Sequence, residues 1–499
     1  MTIVTSTARV RLFSLLLALT LIAVATTFGA SRGSATAPFH NVTTYDFTNS
    51  RSGNDPSRPA ISGLSAAATW RAKLDGAVYG QPLVVNGQVL VATENDSLYA
   101  LAVTSGRVIW HAHVGTAVST TIIDQAPSLN GFCGDINPLG ITGTPVVDLA
   151  LNEVFVAAET MIGPPRWQGI RHELVAISLR THKVVWQRII DPPGGNMLSA
   201  SNGYTIPAEQ QRSALSLANG RVYVSFGGLA GDCGTYHGFV VGLNVAGRGA
   251  TLSYQVPSAT EGAIWATGGA VISAQGNLYV ATGNGNSITT YDGGDSVVEL
   301  SPTLTVLSIW APTDWADLAA ADADLGSAGP ILVPGTSEIF IAGKKFNGSF
   351  GYLLPAGNVG HGPGPAAFKG NVCASATSSV FGADASDIVT TGAVSTTYIY
   401  TPCGNGIEAL TYTGGASPSF ARAWTASTGH PKGPPIVAGG LVWSLDWSNS
   451  VLYAMSPTTG HVSVIRATAP LNHFASPMVT TGFVLLPTRD GVQAFATTP

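Results

Sequence analysis

The chain has 499 residues, of which only 10% are charged, with a formal net charge of -5 and as many as 59 Gly and 30 Pro. So slight an acidic excess leaves no basic footprint and excludes nucleic acid as a partner. Glycine and proline at this abundance supply the turns that a chain of many short strands requires.

At the N-terminus, Arg9 and Arg11 precede the apolar run Leu12 to Ala30, the charged and hydrophobic regions of a secretory signal. Small residues at Gly33, Ala35 and Ala37 suit cleavage after Ala35 or Ala37. The run is also long enough to serve as an uncleaved membrane anchor. Residues 1–37 are therefore expected to be a signal peptide or an anchor, with the protein outside the cytoplasm and touching a membrane only through this segment. No Cys follows the run, which excludes a lipid-anchored form. Residues 38–63, rich in Ser, Asn, Pro and Arg, read as a lead-in segment without a core of its own.

From Gly80 to Trp110 the chain holds apolar runs at Pro82 to Val85, Gln88 to Thr93, Ser97 to Ala102 and Val108 to His111. Asn86-Gly87 supplies the positive φ of a two-residue hairpin, and Asn95-Asp96 and Ser105-Gly106 mark the next reversals. This is one four-stranded antiparallel sheet. Alone it would leave both faces exposed, so a chain carrying such a unit must repeat it.

The repeat is visible when Ala100 and the Trp ten residues on, Trp110, are used as the frame. Ala176 and Trp186 reproduce that spacing, Ala454, Gly460 and Val464 keep the frame without the Trp, and weaker copies end at Trp310 and Trp424. This frame resembles the tryptophan-docking repeat of the PQQ-type β-propellers, in which the Trp packs between neighbouring blades. The resemblance covers roughly residues 64 to 497.

In chain order the blades are expected at about Tyr79 to Gly115, Gly140 to Ile190, Arg212 to Val256, Gly262 to Pro312, Gly326 to Val359, Ala374 to Ser427, Pro431 to Thr468 and Phe474 to Thr498. The last has three strands only. Ala68 to Leu74, with Trp70, is expected to supply the fourth, a closure that removes an exposed sheet edge. The reading is an all-β fold over 64–499, an eight-bladed β-propeller of four-stranded antiparallel blades, with seven blades as the alternative.

Cys133, Cys233, Cys373 and Cys403 are too far apart for a zinc motif and even in number for two disulfides in an oxidising compartment. Three pairings are open. Their places in the blades favour Cys133 with Cys233 and Cys373 with Cys403, and buried free thiols are the alternative.

Chemistry in a propeller is expected where inner strands and top loops converge on the axis. The stretches Glu261 to Asn284, Tyr291 to Asp295, Ile341 to Leu354 and Val154 to Glu159 resemble the quinoprotein alcohol dehydrogenases. The resemblance implies that Trp265 stacks on pyrroloquinoline quinone (PQQ), that Asn284 and Glu159 bind calcium, that Asp295 is the catalytic base, and that Lys344 or Lys345, before Asn347-Gly348, touches the quinone oxygens. Calcium takes several oxygen ligands and would act as a Lewis acid on the quinone. The family's adjacent Cys pair is absent, as is a Cys-x-x-Cys-His haem motif.

Two further clusters, Asp322-Ala-Asp324 before Gly326 and Gln211-Arg212 with the run Gly227 to Gly238 that includes His237, read as a structured turn and as polar loops. Nothing resembles a nucleophile elbow, so hydrolysis has no support. Two functions follow. One is an exported dehydrogenase oxidising an alcohol or sugar. The other is a non-catalytic propeller that binds a protein or glycan. A monomer is expected in either case.

Overall fold

The turn Asn86-Gly87 takes φ of +51° and +72°, the pair of positive values that a type I′ hairpin requires. It joins Leu83–Val85 to Gln88–Thr93, and Ser97–Ala102 and Val108–His113 complete a four-stranded antiparallel sheet with the inner strand first and the outer strand last. In this computed structural model, which describes residues 39–127, 129, 133–191, 206–344 and 348–499, the same sheet recurs around an axis. Its further inner strands are Val146–Asp148, Ser216–Ala218, Val271–Ile272, Ile331–Leu332, Ala385–Thr391, Ile436–Ala438 and Met478–Thr480. The fold is an eight-bladed propeller, and the seven-bladed alternative falls. The expected signal or anchor at 1–37 and the site residue Lys345 lie outside the described residues.

Closure follows the sequence expectation. Trp70–Lys73 pairs antiparallel with Gly491–Thr498, Trp70 opposite Ala494, and so completes the eighth blade. One boundary differs: the outer strand of the fifth blade is Phe368–Asn371, beyond Val359. The intervening His361–Pro363 pairs instead, in parallel, with Val306–Ala311, the outer strand of the fourth blade.

The Ala and Trp of the repeat frame face each other across the third and outer strands, at Ala100 and Trp110, Ala176 and Trp186, and Ala409 and Trp424, each pair followed by a register shift. The indoles then bridge to the next blade. Trp70, Trp186 and Trp424 donate from Nε1, each at 3.0 Å, to the carbonyls of Val103, Val245 and Pro457. A Cβ at Gly106, Gly247 or Gly460 in those receiving turns would run into the indole, and each glycine has positive φ. That close approach explains why the frame pairs a Trp with a turn glycine. Burying an aromatic side chain of this size contributes on the order of 3 kcal/mol per joint.

The lead-in segment threads through the propeller and bonds to each blade in turn. Val42 pairs with Val84, Thr43 O accepts from Val147 N, and Arg51 donates to Leu215 O and Ser216 Oγ. Asn49, Ser50, Ser52 and Gly53 carbonyls accept from Ile272, Leu332, Ser386 and Val437 N–H groups on the next four inner strands. Arg58 reaches Thr481 in the eighth blade, and Asn54–Asp55 lies parallel to Ile436–Ala438. The inner strands have no further strand to pair with on the axial side, so this segment satisfies donors that would otherwise be orphaned. It closes the axis like a plug.

Two disulfides are present in the expected pairing, Cys133–Cys233 with Cα atoms 6.0 Å apart and Cys373–Cys403 at 5.8 Å.

Candidate functional site

Opposite the plug, residues that precede inner strands or follow second strands converge on a cavity of about 470 Å³. Trp265, Asn284, Asp324, Lys344, Arg212 and Phe474 line it, from segments that belong to different blades. Such convergence is a consequence of the fold, because each blade presents the same two turns to the axis.

One wall is aromatic. The Trp265 ring lies 6.3 Å from Phe381 and 6.2 Å from Phe474, both tilted, and the two phenylalanines stack at 5.8 Å. Trp265 is only half-buried, which leaves ring surface for a ligand. Lys344 Nζ stands 5.9 Å from the Trp265 ring centroid and the Arg212 guanidinium 5.6 Å from that of Phe474, so each cation rests on an aromatic face.

The polar groups form two poles. At the first, Asp324 accepts the Asn284 backbone N–H at Oδ1, 2.8 Å, and the Lys344 ammonium at Oδ2, 2.6 Å. Lys344 also reaches Asp322, at 2.8 Å. Burial works against the charge on Lys344, but the two aspartates outweigh it and raise its pKa. Burial likewise holds the Asp324 carboxyl above its ordinary range, against the pull of Lys344. Beside them Glu261 accepts Asn284 Nδ2 at 3.2 Å, with its own backbone at φ +69°. Burial first, then the Asp232 and Asp324 charges, push Glu261 up to about 7. At the second pole Arg212 and His473 both approach Asp135, at 3.4 and 3.3 Å. Burial and the Arg212 charge lower the His473 imidazole to about 4, so it is neutral at ordinary pH.

Of the residues singled out in the sequence, Trp265, Asn284 and Lys344 come together here. Asp295 and Glu159 do not. Asp295 is fully buried, with φ of +48°, and its Oδ1 accepts Leu325 N at 2.9 Å, in the segment entering the fifth blade. Asp96 in the first blade is its counterpart, also fully buried, with φ of +55° and a Ser following. Asp-Ser at this point is thus a turn of the repeat, and burial holds the Asp295 carboxyl well above its ordinary range. Glu159 lies within the second strand of the second blade, Glu153–Met161, buried, with Oε2 3.7 Å from His172 Nε2. Burial opposes protonation of His172, but Asp191 and Glu159 hold it up to about 10.

Asp324, Glu261 and Arg212 are the site residues that sequence reasoning passed over. Signals existed for the first and last, since Asp322-Ala-Asp324 and Gln211-Arg212 are rare charges in a chain so poor in them, yet each reads as a loop until the axis is assembled.

Residues 60–226 match the family model described as outer membrane protein assembly factor BamB. The chain carries the PQQ-type propeller repeat. Among solved structures, quinohemoprotein alcohol dehydrogenase from Comamonas testosteroni superposes with a TM-score of 0.60 at 15% identity, covering 91% of this chain and 80% of that one. A europium-containing methanol dehydrogenase gives 0.59 at 12% identity over 91% and 98% of the two chains. BamB from Moraxella catarrhalis gives 0.52 at 12% identity over 88% and 100%. These likenesses establish the PQQ-repeat propeller fold. No curated protein matches the chain.

Proposed function

We propose that the axial cavity holds a flat, negatively charged aromatic cofactor of the PQQ class and that the protein is an exported quinoprotein-type dehydrogenase acting on an alcohol or sugar. The observation that carries this reading is the convergence of Trp265, Asn284, Asp324 and Lys344 on one cavity of about 470 Å³. The half-buried indole offers a stacking face, and Lys344 and Arg212 offer cations to the carboxylates and quinone oxygens of such a ligand. A bound quinone would supply the hydride acceptor that no side chain provides.

In this reading Asp324 takes the place that the sequence suggested for Asp295. Asp295 has no access to the cavity, whereas Asp324 faces it with its pKa raised toward the range useful in a base. Asn284 N–H and Lys344 fix the orientation of its carboxylate. The two disulfides suit an oxidising compartment, which supports export. The protein would act as a monomer.

A non-catalytic role as a protein- or glycan-binding propeller is the second reading. It is favoured by the family-model match to BamB over residues 60–226 and by the sealed position of Asp295. Titration of the purified protein with PQQ, followed by ligand absorbance and tryptophan fluorescence, separates the two. Saturable binding that is lost in Trp265→Ala, with dye reduction by an alcohol or sugar lost in Asp324→Asn, supports the dehydrogenase. A folded protein that binds no PQQ at micromolar concentration leaves the scaffold.

A further inference from the structure

Calcium is the second group that the resemblance implies, and the donors around Asn284 do not suit it. A calcium ion needs about six to eight oxygen ligands, several of them carboxylate. Here Glu159 is held in another blade beside His172. Both oxygens of Asp324 are already engaged, Oδ1 by the Asn284 N–H and Oδ2 by the Lys344 ammonium at 2.6 Å. The same ammonium takes an oxygen of Asp322 at 2.8 Å and lies over the indole of Trp265. Among the described residues no group of three or more His, Cys, Asp or Glu side chains could hold a metal ion.

We infer that Lys344 is the resident cation at the Asn284 and Asp324 pole of this cavity, doing with its ammonium what a divalent metal would do there, so that the site works without calcium. The geometry gives it both parts of that task. Its single charge partly offsets those of Asp322 and Asp324, which would otherwise repel each other and any anionic ligand more strongly. Its ammonium also stands next to the stacking face of Trp265. A divalent ion brought to the same carboxylates would meet a fixed positive charge at contact distance, a repulsion that removal of the ammonium would relieve.

The inference concerns the ion at the site that the proposed function uses, and its test involves neither PQQ nor turnover, so the two stand or fall separately. Terbium, a luminescent substitute for calcium, is titrated into chelator-treated wild type and Lys344→Met, exciting tryptophan and reading sensitised terbium emission. Calcium competition and a Trp265→Phe background identify the signal as local. The expected result is no saturable Trp265-dependent emission from wild type, and saturable, Trp265-dependent emission from Lys344→Met that reaches its midpoint at least about tenfold below the highest terbium concentration tested on wild type. Saturable, Trp265-dependent emission from wild type, or its absence from both proteins, overturns the inference. Circular dichroism confirms that Lys344→Met is folded, and Lys344→Arg, which keeps the positive charge, is expected to exclude terbium as wild type does.

Discussion

The two ends of the propeller axis are built from the same repeat and treated in opposite ways. At the plug end, the lead-in segment meets the inner strands with backbone hydrogen bonds and buries Arg51 completely, where it donates to Thr44, Tyr45, Leu215 and Ser216. At the cavity end, charged groups stand on half-exposed aromatic faces and remain open to a ligand. Polar groups at one end are consumed by the fold, and at the other they are held in reserve. Stability and binding should therefore separate along the axis.

The largest expected effect is on the plug. Arg51→Ala strands several buried acceptors and removes the charge that faces Asp46, and should cost about 3–5 kcal/mol in urea unfolding. Its PQQ affinity, measured on the folded fraction, should change little. An Arg51 variant as stable as wild type would break the comparison.

Opening the ring comes next. Trp70→Ala removes the indole that joins the eighth blade to the first and should destabilise the protein by about 3 kcal/mol, visible as a lower thermal midpoint. Trp424→Ala, at an equivalent joint, should cost less because that indole is more exposed.

At the cavity end the pattern inverts. Trp265→Ala should weaken PQQ binding by tenfold or more, about 1.4 kcal/mol, while shifting the unfolding midpoint by less than about 1 kcal/mol. A large loss of stability without loss of binding would place Trp265 among the packing residues instead.

Stability should also depend on pH through buried acids. Burial lifts Asp384, beneath the plug, from 3.8 to about 8, and Glu94 from 4.5 to about 8. Between those limits the folded protein holds protons that the unfolded chain has released, so the contribution of these two acids to stability is greatest below about pH 4 and falls as pH rises toward about 8. Thermal unfolding across that window should show the fall, and Asp384→Asn should flatten it. A midpoint that rises with pH would contradict the sign.

Much of this fold was legible from residues alone. Asn86-Gly87, the Ala100 and Trp110 frame and the Trp70 strand each act through neighbours close in sequence or through a pattern repeated often enough to be seen. The cavity was legible in part. Trp265, Asn284 and Lys344, expected near the axis, line one cavity, but Asp295 and Asp324 both stand near glycines and turns, and only Asp324 faces inward. Glu159 lies within its second strand, Glu153–Met161, opposite His172, whereas Asn284 and Lys344 follow theirs.

By itself, then, the sequence determined most of the strands, their turns, the repetition of the blade and the closure of the ring, because alternation, positive-φ turn residues and the tryptophan frame are local and recur. Only the tertiary structure decided which carboxylates reach the cavity and where residues 39–58 run. Those outcomes depend on side chains far apart in sequence, such as Arg212, Trp265, Asp324 and Phe474, being brought to one axis. They depend also on inner strands whose unpaired backbone groups had to find partners there.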